Sequence, residues 1–543
     1  MKVALTGGRS VLGAALAQAL DATYEVAAAP EGDLRDEAFA RRVVDGAAAL
    51  IHLAPLYPDL PPDAAEREVL DRATRGTYVL LNAAVAAGVR RVVLGSTLAL
   101  FARYPASWAV SEAWQPLPDV TNAGQLAAYL AEESAKQFAR TDPLMVLCLR
   151  LGEVVDDAAA RGRRYDPRWL HVADAVQALE QALEVTPAAR SPGTTGEPRQ
   201  GWWVYHIPGG GTYTRVPLAQ AGGPAPRTDG GAGTLGGLGY APRQDFAGAP
   251  GADAAPPEPP AAEAAGDLAL LGPRERVPSR PIRNVVIFGA GGPLAAATAR
   301  VLAPSYRLRL TDVRPLAEIV AEAKPQSPGA PLPELLGPPH EAMEVDVREI
   351  DQVLRACEGM DAIINCTVVR PHPVDAFLVN FLGAYNVVRA AVAHRIRRVV
   401  HTGPQLVTND RPAGYWWDFD VPDDTPPRPS TWLYGHTKYL GQQTVRLFAE
   451  TYDLEVPLLL YSSFVDPATA RRQPGGVFAM SVSWDDAGHA MRRALETPEL
   501  PSPFEIFHIL ADLPHGKYSN TKARRLLGWR PRDTLAHLWA RRS

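Results

Sequence analysis

Short apolar runs alternate with amphipathic stretches twice along this chain. In the first half, Val3–Thr6, Glu25–Ala29, Ala49–Leu53, Arg91–Ser96 and Met145–Arg150 read as strands. In the second half the same reading falls on Val285–Phe288, Arg307–Thr311, Ala362–Cys366, Arg398–Thr402 and Pro457–Tyr461. Helical patterns fill the intervals. Strands alternating with helices predict an α/β fold with a doubly wound parallel sheet in each half. Ligands then belong at the C-terminal ends of the strands, near the point where strand order reverses.

The repeat is the size of a domain. Ala83-Ala-Val-Ala-Ala-Gly-Val-Arg-Arg-Val-Val93 matches Ala390-Ala-Val-Ala-His-Arg-Ile-Arg-Arg-Val-Val400, and the same offset pairs Gly76 with Gly383. The ends match as well: Leu238-Gly-Tyr-Ala-Pro-Arg243 resembles Leu527-Gly-Trp-Arg-Pro-Arg532. This predicts a first domain over 1–245 and a second over 282–543, each with a small C-terminal region to cap a substrate. The Ala/Pro/Gly-rich stretch 246–281 has no composition for a core and reads as a linker. A glycine-rich stretch over 208–239 reads as long loops, either a binding loop or an insertion without function.

At 543 residues the chain suits two domains. A net charge of −5 gives no reason to expect nucleic acid as a partner. Its three cysteines, Cys148, Cys357 and Cys366, are far apart, which argues against a disulfide framework or zinc site and fits a cytoplasmic location. The histidines are scattered, so no metal is expected. No uninterrupted apolar stretch has the ~18 residues a membrane helix needs.

The candidate chemistry lies in the second half. Gly289-Ala-Gly-Gly292-Pro-Leu-Ala295 follows a strand and opens a helix. Such a turn lets the backbone approach a pyrophosphate, with helix N–H groups facing it. The next strand ends at Asp312. A carboxylate there accepts from the adenosine ribose hydroxyls and repels a 2′-phosphate, which predicts NAD over NADP. Arg314, two residues on, is placed to soften that choice. Asp346 follows a further strand-like run, and Asn365 ends the strand after that. Asn380-Phe-Leu-Gly383 sits on a helix. Tyr434-Gly-His-Thr-Lys438 places a phenol and an ammonium on one helix face. An ammonium beside a phenol lowers its pKa toward general acid–base work.

Together these features resemble the extended short-chain dehydrogenase/reductases of the NAD-dependent epimerase/dehydratase type, over nearly all of 284–543. The resemblance implies a Rossmann-type fold and NAD as cofactor, contacted by Gly289, Gly292, Asp312, Asp346, Asn365 and Lys438. It implies a sugar or nucleotide-sugar as substrate. Tyr434 exchanges a proton with its hydroxyl or carbonyl, and Lys438 also holds the nicotinamide ribose. The family's hydroxyl residue falls, by the offset from Thr97, on Pro404. Either Thr402 serves in its place or the hydroxyl is missing. Trp416 and Trp417, in the loop before Tyr434, read equally as a sugar-stacking pair or as core. Trp202 and Trp203 are a similar pair in the first half.

The first half resembles the same family less closely. Ser10 replaces the middle glycine of Thr6-Gly-Gly-Arg-Ser-Val-Leu-Gly13, and serine disfavours the positive φ of such a turn. Its second strand lacks a terminal carboxylate, and Asp33-Leu-Arg-Asp36 reads as an adenine-side Asp or a plain loop. Thr97 and Tyr129 stand at the family's positions, but Glu133 replaces the lysine, and a carboxylate there raises a phenol pKa. The late His171-Val-Ala-Asp174 reads as structural. Two arrangements follow: catalysis shared between halves, or a degenerate first half kept as a structural partner, the tandem forming a pseudo-dimer within one chain. Pro404 and this degeneracy also support a non-catalytic dinucleotide-binding or scaffold protein as the alternative to an enzyme.

Overall fold

The computed structural model describes residues 1–185, 201–210, 237–251, 280–408, 420–471 and 476–539, apart from a few single positions, together with 216, 221–222 and 277. It divides into two compact units, Met1–Leu271 and Gly272–Ser543. Trp416, Trp417 and most of the glycine-rich and linker stretches lie outside the described residues. Where the linker is described, Phe246 packs edge-on to Trp169, with ring centroids 5.2 Å apart.

The second unit holds a seven-stranded parallel sheet. From one edge the strands are Glu341–Glu344, Arg307–Asp312, Asn284–Phe288, Ala362–Asn365, Arg398–Pro404, Val456–Tyr461 and Phe504–His508. Strand order reverses between Asn284–Phe288 and Ala362–Asn365, so the crevice at their C-terminal ends is the place for a ligand. The first unit orders its six strands as Glu25–Ala28, Lys2–Thr6, Ala49–His52, Arg91–Thr97, Met145–Leu151 and Trp202–Ile207. It has no counterpart of the outer strand Glu341–Glu344 among its described residues. Both are Rossmann-type doubly wound sheets, as the alternating pattern predicts.

The repeat extends to single interactions. Arg91 Nη1 caps the carbonyls of Ala182 and Leu183, and Arg398 Nη1 donates to that of Ala494. Tyr24 donates to Glu184 at 3.0 Å and Tyr306 to Glu496 at 3.1 Å. The Asp174 carboxylate accepts from the backbone N–H groups of Arg243 and Gln244, and that of Asp486 from those of Arg532 and Asp533. His171–Asp174 is therefore structural, locking the C-terminal segment onto the helix Val172–Glu184. Trp202 and Trp203 lie half-buried on the edge strand and pack against the core.

One helical run, Pro373–Ala393, has the length and composition to cross a membrane. Its apolar window is 72% buried inside the unit, and its middle turn, Phe377–Gly383, is a π-helix. It carries Asp375, Asn380, Asn386 and Arg389, and its packing marks it as a core helix.

Candidate active site

A cavity of about 1010 Å³ runs along the C-terminal ends of the second unit's strands. At one end lie Gly289, Gly292 and Asp312; at the other lie Thr402, Pro404, Tyr434 and Lys438. The predicted residues thus converge on one space, Asn365 excepted.

Glycine is required at the first end. Gly289 has φ +80°, and a Cβ there would meet the backbone of Cys366 and Thr367 at 3.1 Å. A Cβ on Gly291 would meet Asp312 Oδ2 at 3.0 Å. The helix Pro293–Leu302 begins at Gly292 without a side-chain cap, and its first turn lines the cavity. Its first N–H groups have no partners within the helix. Asp312 Oδ2 accepts from Gly291 N, and Oδ1 from Val313 N, each at 2.8 Å. Each oxygen keeps a lone pair for a further donor. A backbone cradle free of side chains, an uncapped helix start and a carboxylate beside it fit the diphosphate and ribose of a dinucleotide. Arg314 is drawn into exposed ion pairs with Glu318 and Glu322, outside this cavity.

Asp346 lines the cavity, but its carboxylate is gripped by Arg348 through the backbone N–H and the guanidinium, at 2.7–2.9 Å. Asp33 and Arg35 repeat this arrangement in the first unit, where Asp33 lines that unit's cavity. Asn365 does not line the cavity. Its buried side chain accepts from Thr367 N and Oγ1 and meets His401 Nδ1 at 3.3 Å. It braces the loop that follows; Cys366 and Thr367 are the residues that reach the cavity.

Thr402 faces the cavity and donates to the carbonyl of Asn365 at 2.8 Å. Pro404 ends the same strand, opposite Tyr461. Tyr434 opens the helix Leu433–Thr451, which carries Lys438 one turn on. The geometry corrects the expected electrostatics. Lys438 is 4% exposed and donates to the Thr367 carbonyl at 3.1 Å. Burial pulls its pKa down to about 8. The cation acting on Tyr434 is Arg370, whose guanidinium lies over the ring, 5.1 Å from its centroid. Burial outweighs Arg370, so the Tyr434 pKa is raised instead of lowered. Trp432 meets the same ring edge-on at 5.9 Å, and Phe464 stacks on Trp484 at 4.3 Å further along the wall. The sequence singled out neither Arg370 nor Trp432. Their signal is positional: one follows the Ala362–Asn365 strand, the other precedes the tyrosine.

The first unit's cavity is about 430 Å³ and is lined by Gly7, Ser10, Asp33 and Tyr57, without Thr97, Tyr129 or Glu133. Ser10 is not strained: it caps the helix Val11–Leu20 at φ −71°, its hydroxyl held by Gly7 O and Gly13 N. The positive φ belongs to Gly7. Thr97 Oγ1 accepts from Ala99 N, and Glu133 pairs with Lys136 at 3.3 Å. Next in sequence to Thr97 and Glu133, Ser96 and Glu132 join a buried ion pair, Glu132 with Arg150 at 2.7 Å, which His206 extends. Among the described residues no group of side chains is arranged to hold a metal.

The family model described as NAD dependent epimerase/dehydratase matches residues 3–157 and 285–483, one stretch in each unit. An L-arabinose 1-dehydrogenase (NAD(P)(+)) of Haloferax volcanii is 28% identical over 273 residues, 47% of this chain and 98% of that protein. A uronate dehydrogenase of Pseudomonas syringae pv. tomato is 26% identical over 226 residues, 40% of this chain and 72% of that protein. A solved short-chain dehydrogenase/reductase superfamily protein from Agrobacterium tumefaciens with bound NAD is 18% identical, with TM-score 0.37, covering 47% of this chain and 94% of that one. With the family matched in both units over most of the described sheets, the chain belongs to the NAD dependent epimerase/dehydratase family and is an NAD-dependent enzyme.

Proposed function

We propose that the second unit is an NAD-dependent sugar oxidoreductase or epimerase working on a hydroxyl or carbonyl. The observation that carries this is the shared cavity: the glycine cradle and Asp312 lie at one end, Tyr434 and Lys438 at the other. Its volume is at the upper end for small-molecule sites, enough for a dinucleotide with a compact sugar. The names of the relatives, sugar and sugar-acid dehydrogenases, support the substrate class.

Bound NAD supplies the ring that accepts or returns hydride. The chain does the rest. Gly289, Gly292 and the helix start hold the diphosphate, and Asp312 the ribose. Asp346 shapes the adenine end through its turn with Arg348, while Asn365 braces the loop beneath. Lys438 holds the second ribose. Tyr434 takes the proton from the substrate hydroxyl during oxidation and returns it during reduction. Thr402 has its proton committed to the Asn365 carbonyl, so its oxygen accepts from a neighbouring substrate hydroxyl, not from the one whose proton passes to Tyr434. The first unit supports structurally and does not turn over substrate.

The test is NADH formation with a panel of neutral sugars, sugar acids and sugar phosphates, beside thermal shift with NAD and NADP. Turnover of one of them together with stabilisation by NAD supports the reading. Stabilisation by NAD without turnover of any member moves it to the non-catalytic alternative.

A further inference from the structure

Arg370 belongs to no part of the chemistry assigned so far, yet it touches the residue at its centre. Its position is built. The buried Asn380 side chain grips Val369 from both sides, accepting from its N–H at 2.9 Å and donating to its carbonyl at 2.7 Å. Asn380 also donates to Thr437 Oγ1 at 3.0 Å, which ties this loop to the tyrosine's helix. It projects from the π-helical turn Phe377–Gly383, a local widening often found at functional sites. The residue after the clamp is Arg370. Its guanidinium covers one face of the Tyr434 ring while Trp432 meets the ring edge-on. Among the described residues no carboxylate pairs with Arg370, so its charge is not spent elsewhere.

We propose that Arg370 is the positioning residue for proton transfer: it orients the Tyr434 phenol and stabilises the phenolate that accepts the substrate's proton. The proposal rests on the proton-transfer role given to Tyr434 above. Lys438 spends one of its three N–H donors on the Thr367 carbonyl and keeps the others for the ribose assigned to it above. During oxidation the substrate O–H bond breaks and its proton passes to the phenolate oxygen. The other ionisable groups on the cavity walls are accounted for. Burial holds the Cys366 thiol up at about 12 and the Tyr461 phenol well above its ordinary value, so both stay neutral. Arg348 is paired with Asp346 and Asp375. Burial works against the Tyr434 phenolate, and the charge of Arg370 over the ring works for it.

The experiment is a carbon NMR titration of the full-length protein labelled at the tyrosine ring carbon bearing oxygen, with the Tyr434 signal identified by its loss in Tyr434→Phe. Arg370→Gln is expected to move the Tyr434 midpoint up by about one pH unit or more, the scale for removing an adjacent opposite charge. Arg370→Lys keeps the charge and is expected to recover at least about half of that shift. In the oxidation direction the rising limb of the pH–rate profile should move with the NMR midpoint. A Tyr434 midpoint unchanged by Arg370→Gln, or no titration in either protein while folded, overturns the proposal. The NMR reading needs no substrate. If Tyr434→Phe keeps full activity, the catalytic reading fails while the Arg370–Tyr434 coupling is still judged on its own.

Discussion

Lys438 Nζ donates to the backbone carbonyl of Thr367 at 3.1 Å, from a position only 4% exposed. A buried ammonium satisfied by one carbonyl is costly to fold. Its pKa falls from 10.5 to about 8, and each unit is worth about 1.4 kcal/mol. The sign follows from linkage: below pH 8 both folded and unfolded chains hold the proton, and the folded state bears the full cost. Between pH 8 and 10.5 the folded state has lost the proton and the cost fades. Replacing Lys438 by Met removes this burden and also the hydrogen bond, worth about 1 kcal/mol. Lys438→Met should therefore stabilise the second unit by about 2 kcal/mol at pH 7, with the gain vanishing toward pH 10.5, while activity falls. Chemical denaturation across that range checks it; a destabilised variant at pH 7 contradicts it.

Asp312 closes the glycine turn through Gly291 N and lines the cavity. In Asp312→Ala, NAD should bind at least about tenfold more weakly, about 1.4 kcal/mol. Its advantage over NADP should disappear, because the charge that repels a 2′-phosphate is gone. Thermal shift with each dinucleotide reads both. An unchanged ratio of the two affinities would place the selectivity elsewhere.

Thr402 lies two residues before Pro404 on the same strand. Thr402→Val removes its donation to Asn365 and its acceptance from substrate. Stability should fall by about 1 kcal/mol and kcat/KM by about tenfold. A loss of stability with unchanged kcat/KM would make Thr402 a strand-end residue only.

Glu132 and Arg150 form a buried ion pair in the first unit. Breaking a buried pair from one side leaves a lone charge and costs about 3–5 kcal/mol. Arg150→Met should unfold the first unit early, seen as an advanced first transition in calorimetry. Tyr129→Phe should leave turnover within about twofold, since Tyr129 lies outside both cavities. A large loss of activity in Tyr129→Phe would favour catalysis shared between the units.

Much of the fold is legible because the domain is written twice. Ten strands follow from apolar runs bounded by turns, and the matched ends of the halves correspond to equivalent Asp174 and Asp486 clamps. The edge strands Trp202–Ile207 and Phe504–His508 are not legible. Each is partly exposed and follows a proline-rich stretch, and pairing with a neighbouring strand defines it. The site is legible in its residues more than in its electrostatics. Spacing along a helix brings Tyr434 and Lys438 to one face, but it does not show that Lys438 turns to Thr367. Nor does it show that a loop from another strand lays Arg370 over the phenol. Asn365 misleads for a similar reason. A polar residue at a strand end faces a cavity or braces a loop according to its neighbours, and here His401 and Thr367 claim it.

The most direct test of the central claim is Tyr434→Phe, measured as NADH formation with whichever sugar the wild type oxidises. The substitution removes one oxygen from a packed ring, so the fold and NAD-induced stabilisation should persist. Turnover should drop by at least about a hundredfold, the scale of losing a general acid–base. A variant that folds, binds NAD and keeps its activity within a few-fold would contradict the account.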